Sequence, residues 1–231
     1  MRLIFLLFIL TLIARPMPAQ ETTSTTSPAP PAPTREEVVL DDSIVALREI
    51  LADPEIPAAL PYIKQAKGLL IFPKLIKGGF FFFGGRGGRG LLVMRKDDQR
   101  WSQPVFVRIG GVTFGLQFGS QIAQSMVVIM TDRGLKAITD GGFTFGGDIS
   151  ASALTFGAGI GVQTEITSPS DMYMINRSEG LYIGGVLEGS RLVIDQEAND
   201  LYYATQTTVQ DTITGLSYGN RKNQALFEML P

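Results

Sequence analysis

From Ala66 to Gly90 the chain reads AKGLLIFPKLIKGGFFFFGGRGGRG. Two apolar runs, Leu69–Phe72 and Phe80–Phe83, end at Pro73 and Gly84. Runs of this length, bounded by proline and glycine, suit buried strands better than helices. Eight glycines fall in the window, and glycine permits tight turns at an entropic cost. The stretch therefore predicts a ribbon of short strands and tight turns carrying Lys67, Lys74, Lys77, Arg86 and Arg89. A hydrophobic ribbon edged with cations can meet an anionic, partly apolar partner. It can equally be the core of a β-sheet whose turns are wet.

On the N-terminal side, Thr34 to Ala52 predicts a helix. Thr34 with Glu37 fits a capping box, and Leu40, Ile44, Leu47 and Leu51, widened by Val45 and Ile50, follow helical spacing. Asp53-Pro54 ends it, and Pro57–Gln65 predicts a second, short helix. On the C-terminal side strands are expected at Leu91–Arg95, Val105–Ile109, Val112–Phe118, Ser125–Met130, Met172–Asn176 and Leu181–Leu187. A helical turn is expected at Arg133–Ile138, and helices at Gln196–Tyr203 and Ala225–Leu230. The pattern is an α+β fold: a mainly antiparallel sheet, barrel-like or strongly twisted, with an N-terminal amphipathic helix and short flanking helices. An outer-membrane barrel is rejected, because Leu69–Phe72, Leu91–Met94 and Met126–Met130 are apolar on both faces and barrel strands facing a wet lumen alternate.

The 231 residues contain no Cys and no His. That removes disulfides, thiol nucleophiles, Cys/His zinc sites and Ser-His-Asp triads. Net charge is −2, but it is segregated along the chain. Lys64 to Arg108 holds ten cations against Asp97 and Asp98, a net +8. Asp132 to Asp200 is net −6 and Thr34 to Glu55 net −5. If those segments lie on different faces, the surface is dipolar.

Residues 1–20 read as a secretory leader: Arg2, the apolar run Leu3–Ile13, then Pro16-Met17-Pro18-Ala19. Residues 21–33 form a Thr/Ser/Pro linker too polar to bury a core. The folded domain is expected over 34–231, in a protein that is exported, periplasmic or extracellular, and peripheral to a membrane.

Several motifs fail on context. Gly85-Arg86-Gly87-Gly88-Arg89-Gly90 matches G-x-G-x-x-G, but Leu91–Met94 reads as strand where the dinucleotide fingerprint needs a helix. As an RGG element it is a single copy, so no nucleic acid is expected. Asp195–Asp200 superficially resembles a calcium loop but lacks its central glycine, and reads as the solvated start of a helix. Asn176-Arg177-Ser178 is a glycosylation sequon. The many carboxylates show no spacing that singles out an acid/base pair. No catalytic residue, cofactor or metal ligand is expected.

Ala66-Lys67-Gly68, Ile71-Phe72-Pro73, Lys77-Gly78-Gly79-Phe80 and Gly87–Leu91 resemble the opening of the SYLF domain, found in actin-patch and phosphoinositide-binding proteins of yeast and animals and in exported bacterial proteins. Trp101-Ser102-Gln103-Pro104 resembles its Trp-Ser-x-Pro, and Gly115-Leu116-Gln117-Phe118-Gly119 its Gly-x-Gln-x-Gly. Ser178–Leu181, Gly184-Gly185, Leu187–Ser190, and Asn199 with Tyr202-Tyr203 resemble its later elements, in order. With the leader, the chain resembles an exported bacterial-type member. The resemblance implies an α+β domain that binds phospholipid or phosphoinositide without catalysis. Actin enters as a partner through the resemblance alone. From the residues, Lys64, Lys67, Lys74, Lys77, Arg86 and Arg89 are the candidates to hold the phosphates of an anionic phospholipid or membrane surface, with nearby Phe or Leu at the interface. The alternative is a structural or adhesive domain whose partner is another protein.

Overall fold

Two very long strands organise the chain. The computed structural model describes residues 32–145, 151–155, 170–179, 189–214 and 221–231, all but Ala32 within one unit, Pro33–Pro231. β1 (Gly68–Met94) and β2 (Val105–Ile129) pair antiparallel from Gly68 opposite Ile129 to Leu92 opposite Val105. The expected short strands with tight turns between them are therefore corrected. Gly78, Gly79, Gly84, Gly85 and the RGGRG stretch all lie inside β1. The described glycines with positive φ are Gly141, Gly142 and Gly189, none of them in β1.

The glycines of β1 serve close approach instead. A Cβ on Gly90 would stand 2.3 Å from the Ile71 carbonyl oxygen and 2.7 Å from Phe72 Cδ1, and one on Gly88 would stand 2.7 Å from the Lys74 oxygen. So the two ends of β1 lie side by side, and the Arg95 N–H donates to the Lys67 carbonyl at 2.8 Å where they meet. Pro73, which has no N–H to give a ladder, falls in a register shift between Phe72 and Leu75.

β2 is the shared strand. Its other edge pairs antiparallel with β6 (Arg191–Ile194) through Val107–Gly110 and with β5 (Met172–Glu179) through Ile122–Ile129. β3 (Phe143–Thr144) extends the sheet beside β6, and β4 (Ala151–Thr155) lies parallel to β5. The result is the expected α+β fold, a curled and mainly antiparallel sheet with flanking helices.

Both faces of the strand ends are buried, which is why their sequence runs apolar without alternation. Leu69, Ile71, Leu91, Val93, Phe106, Met126 and Val128 share one core with α1 (Arg35–Leu51). Leu70, Phe72, Leu92, Met94, Val107, Ile109, Val127 and Ile129 form a second core on the other face. The capping box is present, with Thr34 N–H to Glu37 Oε2 at 3.0 Å and Glu37 N–H to Thr34 Oγ1 at 3.2 Å. Leu40, Ile44, Leu47 and Ile50 face the core, but Val45 does not: it is exposed on the outer side with Val38, and Ala46 and Ser43 fill its expected place.

A 3-10 turn at Ile56–Ala58 and α2 (Leu60–Gln65) replace the single short helix expected there. α3 spans Asp132–Thr139 and α4 spans Gln196–Tyr203, the latter as read from the sequence. α5 (Val209–Thr214) and β6 were not foreseen, and α6 (Arg221–Phe227) starts before its expected position. The expected strand Leu181–Leu187, the leader and residues 21–31 of the linker lie outside the described residues. No helix among the described residues is long and apolar enough to cross a membrane.

Candidate functional site

The six candidate cations do not share one face. Lys67 Nζ lies 2.7 and 2.8 Å from the Asp132 carboxylate oxygens at the start of α3. Lys74 Nζ lies 2.8 Å from Asp42 Oδ2 on α1. Arg89 Nη2 lies 3.6 Å from Oδ2 of the buried Asp195. Lys64 is exposed in the last turn of α2, while Lys77 and Arg86 are half-buried in β1, opposite Gln121 and Gly111. Strand alternation sets Lys74 and Arg89 on the side of α1, and Lys77 and Arg86 on the other. The charge segregation of the sequence is thus partly cancelled in space, because the +8 segment meets Asp42, Asp132 and Asp195 of the acidic ones. The pairs of Lys67 and Lys74 are solvent-exposed, and such pairs are worth about 0–1 kcal/mol, so an external anion can compete for either lysine.

Apolar side chains are exposed on the same side as Lys74 and Arg89. Ile76 and Ile122 are cross-strand partners, 53% and 54% exposed. Val112, opposite Gly85, is 69% exposed. All three alternate with residues of the second core, which places them on the α1 side of the ribbon beyond the helix.

Two arginines outside the candidate set join Arg89. Arg108 is its cross-strand partner on β2, and Arg191 on β6 is the partner of Gly110, two residues along β2. Both are exposed and share a face with Arg89, because Val107, Ile109 and Leu192 all turn to the second core. The alternation around Arg108 was readable in the sequence, but its neighbour Arg191 depends on β6, a strand of four residues, too short to show a period.

The motif residues hold elements together. Asn199 Oδ1 accepts the Phe106 N–H at 2.8 Å, and its Nδ2 donates to the Phe106 and Asp195 carbonyls at 3.0 and 2.8 Å. Tyr203 donates to the Pro104 carbonyl at 2.6 Å, and Tyr202 to Asn223 Oδ1 at 2.6 Å. Ser102 Oγ accepts the Met94 N–H at 3.0 Å. Arg95 stacks over Trp101, 4.1 Å from its ring centroid, and burial lowers the Arg95 pKa. The reading of Asp195–Asp200 as solvated helix-start residues holds for Gln196 and Glu197, exposed at the start of α4, and is corrected for Asp195, which caps α4 and is buried, and for the buried Asn199. Asn176 of the sequon is also buried, accepting from Ser125 Oγ at 2.6 Å, so glycosylation there would require opening β5.

Asp200 accepts the Thr207 N–H at 2.9 Å and a Gln196 Nε2–H at 2.8 Å, and these bonds, the backbone one foremost, hold its pKa below the usual value. A depressed carboxylate pKa stabilises the fold above the unfolded value, and that stabilisation is lost as pH falls through the folded one. The stability of Asp200→Asn should accordingly fall less steeply than that of wild type below about pH 4. Parallel acid-denaturation curves check this, and identical slopes would refute it.

Among the described residues no group of three or more acids could hold a metal ion. A shallow depression lined by Gln103, Asn223, Gln224, Phe227 and Glu228 holds one acid among amides and no acid pair.

Residues 110–231, just over half the chain, match the family model Ysc84, described as Las17-binding protein actin regulator. Human SH3 domain-containing YSC84-like protein 1 is 31% identical over 179 residues, covering 77% of this chain and 51% of that protein. An SH3 domain-containing protein of Schizosaccharomyces pombe is 33% identical over 177 residues, 75% of this chain and 40% of its own length. LAS seventeen-binding protein 3 of Saccharomyces cerevisiae is 30% identical over 167 residues, 71% of this chain and 36% of its own. The chain thus spans about half or less of the length of these relatives. They overturn the expectation of a secreted protein, periplasmic or extracellular: the relatives are SH3 domain-containing and LAS seventeen-binding proteins of animals and yeasts, and the family model is described as an actin regulator, not as an exported bacterial protein.

Proposed function

Since the chain belongs to the Ysc84 family, the SYLF-domain proteins, we propose that residues 34–231 act as a non-enzymatic module that binds anionic phospholipid at a membrane surface. The observation that carries this reading is the α1 side of the ribbon. Ile76, Ile122 and Val112 are exposed there, and Lys74 and Arg89 stand on the same side. An apolar surface with cations at its margin matches a bilayer, whose headgroups are anionic and whose interior is not wet. Lys64 and Lys67 add charge around that margin, while Lys77 and Arg86 stand on the other face of the ribbon. Each cation near such a surface adds roughly 1 kcal/mol, so the attachment is reversible and weakened by salt.

Co-sedimentation of the full chain with anionic and zwitterionic vesicles tests it. Binding is expected with anionic vesicles only, and less of it at high salt. The double variant Lys67→Glu/Lys74→Glu should bind at least about tenfold more weakly. Unchanged binding would remove these lysines from the site. A second reading has its own support: the family description names a protein partner, Las17, and Val38 and Val45 lie exposed on the outer face of α1. If wild type binds neither vesicle, that protein-interaction reading takes precedence.

A further inference from the structure

The outward side of α1 carries a strict pattern. Between Glu36 and Ala52 the exposed residues are Val38, Asp41, Val45, Arg48 and Ala52, and every other position is buried or half-buried. Their spacing alternates between three and four residues. A helix that only covers a core exposes a broad polar arc. Here the exposed set is a narrow stripe with the a/d spacing by which one helix packs along another. Its two valines, 42% and 46% exposed, are mediocre helix formers and gain nothing on an uncovered surface.

The stripe rides on a firm platform. The inner side of α1 lies in the core through Leu40, Ile44, Leu47 and Ile50. One flank is tied to the sheet, with Asp42 Oδ2 2.8 Å from Lys74 Nζ and Glu49 Oε2 2.7 Å from Arg177 Nη1. Gln124 Nε2 donates to the same Glu49 oxygen at 2.6 Å. A surface fixed in advance loses little entropy on binding.

The two charges on the stripe select what can lie against it. A parallel copy of α1 would set Asp41 against Asp41 and Arg48 against Arg48. An antiparallel copy, related by a two-fold axis at Val45, brings unlike charges together. Asp41 lies about 6 Å before Val45 along the helix and Arg48 about 4.5 Å after it, so each Asp41 falls beside the Arg48 of the other copy. Val38 and Ala52 lie seven residues to either side of Val45 and meet by the same symmetry. The stripe is complementary to itself, which a two-fold interface requires.

We propose that the outer face of α1 binds a second copy of this chain, as an antiparallel helix pair centred on Val45 with Asp41 and Arg48 opposed across it. The inference stands apart from the membrane reading, since none of the five stripe residues lies on the ribbon. The seam is two heptads long, because Asp53-Pro54 follows the helix. The contact is small beside the roughly 1,600 Å² of a standard interface, so the pairing is weak and reversible, with a Kd of about 10–100 µM.

Sedimentation equilibrium of the full chain, over concentrations that bracket that Kd, tests it. Wild type should pass from one chain to two. Val45→Glu sets two carboxylates against each other at the axis and should weaken pairing at least about tenfold. Asp41→Arg leaves only cations on the stripe and Arg48→Asp only anions. Each of these variants alone should stay monomeric, and an equimolar mixture of the two should pair. Asp41→Arg/Arg48→Asp, which exchanges the charges, should pair as wild type does. Substitutions at exposed helix positions cost little stability. The mixture and the exchange variant also carry the same changes as the variants that fail to pair, so misfolding does not imitate the pattern. A wild type that stays monomeric throughout would overturn the proposal and leave this face to a different protein. A dimer that survives Val45→Glu and both single charge variants would also overturn it, since it would use another face, and so would a mixture that fails to pair.

Discussion

Gly90→Ala is expected to destabilise the protein by about 3 kcal/mol, the upper end of the overpacking range. The added methyl would stand 2.3 Å from a backbone oxygen, Ile71, and 2.7 Å from the Phe72 ring. Neither can retreat cheaply, since Ile71 and Phe72 are buried in the two opposite cores. Relief would require the two ends of β1 to part, straining the bond from the Arg95 N–H to the Lys67 carbonyl. For a domain of this size the loss corresponds to a fall in Tm of roughly 6–12 °C. Gly110→Ala, on the partner strand and in open space, should stay within about 0.5 kcal/mol of wild type. Calorimetry and denaturant titration of the two variants read the contrast. Equal stability would mean that the ends of β1 do not pack as described.

Asn199→Asp should cost about as much, roughly 3 kcal/mol at neutral pH, and more than Asn199→Ala. The carboxamide matches its partners atom for atom: an acceptor on the Phe106 N–H and a donor to two carbonyls, of Phe106 and Asp195. Aspartate would set a buried anionic oxygen against both carbonyls. Burial and those dipoles raise the folded-state pKa of the new carboxyl above the ordinary value. A raised pKa means the penalty is smallest below the unfolded pKa and grows as pH rises toward the folded one. The gap between Asn199→Asp and wild type should therefore narrow as pH approaches about 4. A gap independent of pH would show that the side chain escapes to water.

Much of the scaffold was legible in the chain, for reasons local to it. Thr34 and Glu37 lie one helical turn apart and cap α1 as their chemistry requires, and the bounds of α4 follow from its own composition. The apolar runs at Leu69–Phe72 and Leu91–Met94 announced burial on both faces. The glycines between them were misread because a glycine that turns the chain and one that admits a neighbouring backbone look identical in sequence. Only the approach of Ile71 to Gly90 tells them apart. The cations were equally ambiguous: their number was plain, but the acids that meet them lie 32 residues away at Asp42 and 65 away at Asp132. Arg191 was missed with β6, since Arg191–Ile194 is too short to show a period.

The meeting of the two ends of β1 also bears on how the sheet is kept from pairing with other chains. A strand this long, glycine-rich and apolar is a template for unwanted association wherever its outer edge stays open to another chain. β2 covers one edge of β1 along nearly its whole length. At the ends, where Leu69–Phe72 and Leu91–Met94 are most apolar, β1 covers the other edge with itself. The glycines that let the backbones approach thus act as gatekeepers, doing by shape what a charged residue or a proline does on an ordinary sheet margin.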